Sequence, residues 1–204
     1  MSLWAIIPVK PLRRGKTRLA GVLSEDEREI LNLSLLGHTL MILRQVPEIQ
    51  QILVVSSDTA VLALAREQGA RTVMEDGHPG LNTALHRATM VAQVYAAQGV
   101  LILPSDLPLL TKQDVEEIIQ TPEPSPLVVI APDRRNEGTN ALFVKPTGLI
   151  DYQFGDNSFS KHVSQAKKFN INLRIINSPT LRLDLDFPED LELLQQYQTQ
   201  QVNL

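Results

Sequence analysis

Leu3-Trp4-Ala5-Ile6-Ile7-Pro8-Val9-Lys10-Pro11-Leu12-Arg13-Arg14-Gly15-Lys16-Thr17-Arg18-Leu19 is the stretch on which the reading of this chain turns. The run from Leu3 to Val9 is continuously apolar, as expected of a strand buried on both faces. It breaks into a loop carrying five cations, Lys10, Arg13, Arg14, Lys16 and Arg18, around a single glycine. In α/β proteins, ligands bind in the crevice beyond the carboxyl ends of the strands. The formal charge of the whole chain is −4, so this cluster is a local concentration of positive charge. It points to a polyphosphate ligand.

Gly15-Lys16-Thr17 matches the end of a P-loop but not its beginning. A P-loop has a glycine five residues before its Gly-Lys-Thr, so that backbone amides wrap the phosphates. Lys10 stands there, beside Pro11, which has no amide to donate. A solvated basic loop without a ligand is the plainer alternative.

The chain has 204 residues, enough for one domain with a single buried core. Apolar content of 43% and charged content of 21% are those of an ordinary globular protein. Cysteine is absent, which excludes a disulfide framework, thiolate metal sites and cysteine nucleophiles. The apolar segment Ser2 to Val9 is short and followed by cations, unlike a secretory leader. No apolar run approaches the roughly 20 residues that span a bilayer. A cytoplasmic location and no membrane partner are expected. The mild acidity gives no wide basic face for nucleic acid.

Working outward, strands and helices alternate. Ser24 precedes Glu25-Asp26-Glu27, an N-cap with an acidic first turn, and Ile30, Leu33, Leu36, Leu40 and Leu43 follow at helical spacing. Strands are expected at Ile52 to Ser56, Arg71 to Met74, Val100 to Leu103, Leu127 to Ala131, Ala141 to Val144 and Ile171 to Ile176. Helices are expected after Asp58, stopping at Gly69, over Leu81 to Ala97, after Thr111 to Ile119, over Ser158 to Phe169, and over Pro188 to Gln198 before a fraying Gln-rich tail. This alternation predicts an α/β sandwich around a mostly parallel sheet, with antiparallel pairing at one edge where the later strands crowd together.

Two carboxylate groups stand out. Asp106 follows the apolar strand ending at Leu103 and is presented between Pro104 and Pro108. A carboxylate there loses hydration unless it is paired or metal-bound, although a turn-capping aspartate is the simpler reading. The second group is Leu181-Arg182-Leu183-Asp184-Leu185-Asp186-Phe187. Strict alternation predicts an extended segment with Asp184 and Asp186 on one face, about 7 Å apart, able to share a hard cation. Alternatively, Asp186 caps the helix that begins at Pro188.

A basic phosphate loop together with separated aspartates implies phosphoryl or nucleotidyl transfer assisted by Mg²⁺, which takes one or two carboxylates plus phosphate oxygens. Gly138 and Thr139 let backbone and hydroxyl approach an anion closely. The helix start after Gly155, with Asn157 or Ser158 as cap, is a natural seat for a second phosphate or simply a capped helix. The histidines His38, His78, His86 and His162 show no metal spacing and read as structural or surface residues.

Pro8-Val9-Lys10 with Gly15-Lys16-Thr17-Arg18-Leu19, then Ser105-Asp106-Leu107-Pro108, Gly138-Thr139-Asn140, Phe154-Gly155 with Ser158-Phe159, and Leu183-Asp184-Leu185-Asp186 occur in that order. With them the chain resembles the guanylyltransferases of deazaflavin coenzyme biosynthesis, over nearly its whole length. The resemblance implies a single Rossmann-like, three-layer α/β/α nucleotidyltransferase domain of the GT-A type. It implies transfer of GMP from GTP to phosphoenolpyruvate or 2-phospho-L-lactate. Mg²⁺ would sit on Asp106, Asp184 and Asp186, and the acid on Thr139, Gly155 and Ser158. GTP would meet Lys10, Gly15, Lys16 and Arg18, with Lys10, Lys16 and Asp106 serving the chemistry and Asn82 touching base or ribose. A homo-oligomer is compatible with all of this. Competing expectations are a related nucleotidyltransferase with another acceptor, such as 3-phosphoglycerate or a sugar phosphate, and a nucleotide-binding module without turnover.

Overall fold

The computed structural model describes residues 2–75 and 80–202. Seven strands form one sheet: β1 (Leu3–Pro8), β2 (Ile49–Ser56), β3 (Arg71–Met74), β4 (Gly99–Ile102), β5 (Leu127–Pro132), β6 (Thr139–Lys145) and β7 (Asn172–Ile175). The helices are α1 (Glu25–Arg44), α2 (Thr59–Glu67), α3 (Gly80–Val94), α4 (Lys112–Ile119), α5 (Ser158–Lys168), the single turn α6 (Pro179–Arg182) and α7 (Pro188–Val202). The sheet order is β3-β2-β1-β4-β6-β5-β7. All pairings are parallel except the two made by β6. The antiparallel strand therefore lies inside the sheet, not at an edge as the crowding of late strands suggested. A short β5–β6 hairpin folds β6 back between β4 and β5.

Period-two alternation sorts the core into two layers. Leu3, Ala5 and Ile7 of β1 face a cluster with Leu36, Leu40 and Leu43 of α1, Val61 and Leu62 of α2, and Ile118 of α4. Trp4 and Ile6 face the opposite cluster, with Leu85, Ala88 and Ala92 of α3 and Ala166 of α5. Helices cover both faces, giving the expected three-layer α/β/α sandwich.

The expected caps of α1, α2 and α4 form, whereas Asn157, the residue before α5, makes no side-chain cap bond. Ser24 and Glu27 make a reciprocal capping box on α1, and Thr111 and Asp114 make one on α4. Asp58 caps α2 by accepting from the Ala60 amide at 2.9 Å. Its other oxygen accepts from the Leu12 amide at 3.0 Å, tying the opening loop to α2. Gly69 ends α2 with φ of +76°, a conformation glycine adopts without strain. Several elements depart from expectation: α3 ends at Val94 and not at Ala97, and β2 begins at Ile49 and not at Ile52. Leu181 and Arg182 belong to α6, so extended backbone begins only at Leu183, although burial still alternates through Leu185. Also, α7 continues to Val202, beyond the expected end at Gln198. His78 lies outside the described residues.

Strands β2 and β4 flank β1 on opposite sides, so the strand order reverses there. That reversal opens a crevice at the strand carboxyl ends. Because β6 runs the other way, its amino end, Thr139 and Asn140, reaches the same crevice.

Candidate functional site

Two adjoining chambers occupy the crevice. The first, about 310 Å³, has a largely apolar wall including Pro8, Val9, Val55, Leu81 and Ala84. The second, about 730 Å³, is lined by polar residues including Thr139, Asn140, Gly155, Ser158 and Asp184. Lys10, Lys16, Asp106 and Asp186 line both chambers and form the junction between them.

The opening loop reaches the junction through two short 3₁₀ turns, Leu12–Arg14 and Thr17–Leu19. Gly15 lets the loop lie against α1. A Cβ there would stand 2.8 Å from Asn32 Nδ2, whose amide donates to the Leu12 carbonyl at 2.8 Å. Lys16 follows in the left-handed conformation, φ +53°, which turns its side chain inward until it is 6% exposed. Its ammonium donates to the Leu185 carbonyl at 2.6 Å and stands 3.9 Å from Asp106 and 3.8 Å from Asp186. Arg18 Nη1 approaches Asp186 Oδ2 at 3.4 Å. Arg13 instead faces Glu25, Asp26 and Glu29 at the start of α1, so the five cations divide into an inner and an outer set.

The aspartates are held by their backbones. Leu185 N–H donates to the Asp106 carbonyl at 3.1 Å, stitching the two acidic segments together. Asp186 and Phe187 amides both donate to Asp190 Oδ2, at 3.0 and 2.7 Å, and Arg134 grips Asp190 Oδ1 through Nε at 2.9 Å. Asp190, in the first turn of α7, thereby fixes the backbone just before the helix, and the Asp186 carboxylate faces the junction. Burial raises the pKa of Asp106, against the opposing pull of Lys16, and Asp186 adds to the rise. Burial, reinforced by Asp106 and Asp186, pushes Asp184 up to about 7. Crowded carboxylates with raised pKa values mark a place short of positive charge. Among the described residues, no three or more His, Cys, Asp or Glu side chains are arranged to hold a metal ion by themselves.

The second chamber has its own frame. Gly155 has φ of +114°, open to glycine and strained for any other residue. The first two amides of α5 are already used, Ser158 N–H by the Gly155 carbonyl and Phe159 N–H by the Glu137 carbonyl, both at 3.1 Å. An anion there would meet side chains more than the bare helix terminus. Arg18 and Arg135 both lie over the Phe187 ring, with guanidinium carbons 4.6 and 4.1 Å from its centroid. The ring thus holds two cations at the chamber wall.

Asn82 and His162 both support the frame of the second chamber. Asn82 lines neither chamber. Its carboxamide accepts from Phe154 N–H at 2.8 Å and donates to Phe154 C=O at 3.0 Å. Both amide groups are engaged by the turn before Gly155, so Asn82 supports that turn. His162 is fully buried, as the structural reading expects, and its Nδ1 stands 3.1 Å from the Oγ1 of Thr139, a chamber-lining residue. Its i,i+4 relation to Ser158 on α5 was the available sequence signal.

Residues 3–200 match the family described as guanylyl transferase CofC like. The chain is 39% identical to a phosphoenolpyruvate guanylyltransferase of Rubrobacter xylanophilus, over 96% of this chain and 94% of that protein. It is 34% identical to a 2-phospho-L-lactate guanylyltransferase of Methanocaldococcus jannaschii, over 94% and 81% of the two chains. Among solved structures, a cytidylyltransferase from Leptospira borgpetersenii superposes with a TM-score of 0.63 at 15% identity, covering 96% of this chain and 85% of that one. A Methanothermobacter nucleotidyl transferase superposes with a TM-score of 0.68 at 14% identity, covering 96% and 97%. These structural likenesses speak for the nucleotidyltransferase fold, and the sequence matches go further: the chain belongs to the CofC-like guanylyl transferase family.

Proposed function

We propose that this protein is a guanylyltransferase that joins GMP from GTP to a small phosphorylated carboxylic acid, phosphoenolpyruvate or 2-phospho-L-lactate, with release of pyrophosphate. The observation that carries this reading is the shared junction, where Lys10, Lys16, Asp106 and Asp186 line an apolar chamber on one side and a polar one on the other. The apolar chamber suits a base and ribose, and the polar chamber suits the acid. Their phosphates would meet at the junction.

A phosphomonoester with a second pKa near 6 is already mostly a dianion at neutral pH. Its oxygen attacks the α-phosphorus of GTP, the bond to the bridging oxygen breaks, and pyrophosphate leaves. No proton has to be removed from the nucleophile, so no general base is needed. The protein must align two mutually repelling anions and neutralise charge at the transferring phosphorus. Lys10, Lys16 and Arg18 supply cations, while Thr139, Gly155 and Ser158 hold the acid.

The crowded carboxylates fit a hard divalent cation, which takes one or two of them directly plus phosphate oxygens. Asp106 with Asp184 and Asp186 would hold Mg²⁺, which supplies further charge neutralisation at the phosphates.

The test incubates the protein with GTP, Mg²⁺ and each acid separately and identifies products by mass. Pyrophosphate and a guanylylated acid are expected with phosphoenolpyruvate or 2-phospho-L-lactate. Turnover only with a sugar phosphate or only with CTP would overturn the reading. Wild-type turnover by a folded Asp106→Asn variant would sink the metal assignment.

A further inference from the structure

His162 lies beneath the polar chamber with both ring nitrogens engaged. Gln153 N–H donates to Nε2 at 3.0 Å, while Nδ1 is 3.1 Å from Thr139 Oγ1. A backbone amide can only donate, so Nε2 carries no proton. A neutral imidazole with bare Nε2 bears its proton on Nδ1. Nδ1–H must then donate to the Thr139 hydroxyl oxygen, which leaves the Thr139 O–H free to donate elsewhere. Thr139 Oγ1 has no other hydrogen-bond partner among the described residues, and Thr139 lines the chamber. Burial, with Lys161 adding repulsion, lowers the imidazole pKa to about 4, so the ring stays neutral at physiological pH.

We infer that His162 is a positioning residue that fixes the polarity of the Thr139 hydroxyl, so that it presents a hydrogen to an acceptor-only ligand, a carboxylate or phosphate oxygen of the phosphorylated acid. This rests on the functional reading above for the identity of the ligand. A neutral donor also serves where Asp184 and Asp186 already line the chamber, because it binds an anion without itself pairing with those carboxylates. The same ring joins three segments of the chamber: α5 through its own backbone, the turn before Gly155 through Gln153, and β6 through Thr139. Each supplies a residue expected to touch the acid.

The two amide replacements of histidine separate the two contacts. Asparagine puts an N–H near the Nδ1 position and keeps the donor to Thr139. Glutamine puts a carbonyl near the Nε2 position and keeps the acceptor for Gln153 while losing the donor. Steady-state kinetics are measured with GTP and phosphoenolpyruvate or 2-phospho-L-lactate, whichever the wild type uses. His162→Gln is expected to raise KM for the acid about tenfold while KM for GTP holds, and His162→Asn to stay within about threefold of wild type. In a Thr139→Val background, which lacks the hydroxyl, His162→Gln is expected to add nothing further. A purely structural role would instead lower activity equally in both backgrounds and shift the GTP constant as well.

Nitrogen NMR of the wild type reads the tautomer directly and needs no variant to fold: a protonated Nδ1 and bare Nε2 are expected between pH 6 and 8. A protonated Nε2, or equal acid KM values for wild type and folded His162→Gln, overturns the inference while leaving the guanylyltransferase reading intact. A wild type that transfers no GMP to any acid overturns that reading and the ligand part of this one, and the tautomer spectrum still decides the polarity of Thr139.

Discussion

The ammonium of Lys16 donates to the carbonyl of Leu185 at 2.6 Å, across 169 positions of sequence. The same Leu185 residue gives its N–H to the Asp106 carbonyl. One residue thus ties the basic loop and both acidic segments into a unit that the sheet does not hold together. Leu183 to Asp186 pair with no strand. Their hydrogen bonds run instead to the junction loops through Leu185, to Asn140 of β6 through Asp184, and to Asp190 of α7 through Asp186.

Lys16 therefore combines a structural contact with a charge at the junction, where the proposed reaction would place the transferring phosphorus. Lys16→Met is expected to lower kcat/KM about 100-fold or more, the scale of removing one preorganised charge-stabilising donor. Lys16→Arg is not expected to restore it, because a planar guanidinium does not fit a channel that leaves the lysine side chain 6% exposed. Steady-state kinetics at saturating Mg²⁺ decide the matter, and a wild-type rate for Lys16→Met would remove Lys16 from the chemistry.

Asp190 is 1% exposed and paired with Arg134 at 2.8 Å. Asp190→Ala strips the Asp186 and Phe187 amides of their acceptor and leaves Arg134 without its closest partner. Removing one member of a buried pair costs about 3 kcal/mol or more. Urea unfolding should show that loss, and activity should fall further than stability alone explains, since Asp186 would no longer be held at the junction. An unchanged urea midpoint would show that the Asp186 and Phe187 amides find another acceptor.

The elements that local chemistry specifies were legible in the sequence. Ser24, Asp58 and Thr111 cap helices because each needs only an amide two or three residues away. The apolar runs of β1, β2 and β4 read as strands for the same local reason. Contacts made between distant segments were not legible. Asp190 is one of two acids in the first turn of α7, and nothing near it in the sequence announces Arg134 56 positions earlier. The place of β6 within the sheet escaped because strand order depends on how β4 and β5 pack, not on the composition of β6. For the candidate site, Lys10, Lys16 and Asp106 stood out as charge where an apolar strand ends, and Asp186 through the alternation of Leu181 to Phe187. His162 reads as structural, and its bonds to Thr139 and Gln153 are contacts that the sequence does not announce.

Asn82 tests the boundary between those two kinds of evidence. Its carboxamide closes both hydrogen-bonding groups of Phe154, so Asn82→Ala should loosen the turn that positions Gly155. KM for the acid is expected to rise about tenfold, with KM for GTP little changed. The reverse pattern, a weakened GTP constant with the acid constant intact, would return Asn82 to the nucleotide.

The pH dependence of stability separates two buried groups that act in opposite directions. The His162 pKa is lowered to about 4 in the folded protein, against roughly 6.5 when unfolded. The unfolded chain therefore binds more protons in that window, and this contribution is complete above about pH 6.5 and is lost as pH falls toward 4. It amounts to about 3 kcal/mol in full and about 2 kcal/mol between pH 7 and pH 5. Asp184, pushed up to about 7 when folded, holds its proton more tightly in the native state, so its contribution grows over the same fall in pH. The two partly cancel in the wild-type curve. A difference measurement isolates the histidine: urea unfolding of wild type and His162→Asn at pH 5 and pH 7, with Asp184 common to both. The destabilisation caused by the substitution should be about 2 kcal/mol smaller at pH 5 than at pH 7, because the variant has no imidazole to protonate on unfolding. An equal difference at both pH values would mean that His162 titrates alike in the folded and unfolded chain, and that the ring is not sealed beneath Thr139.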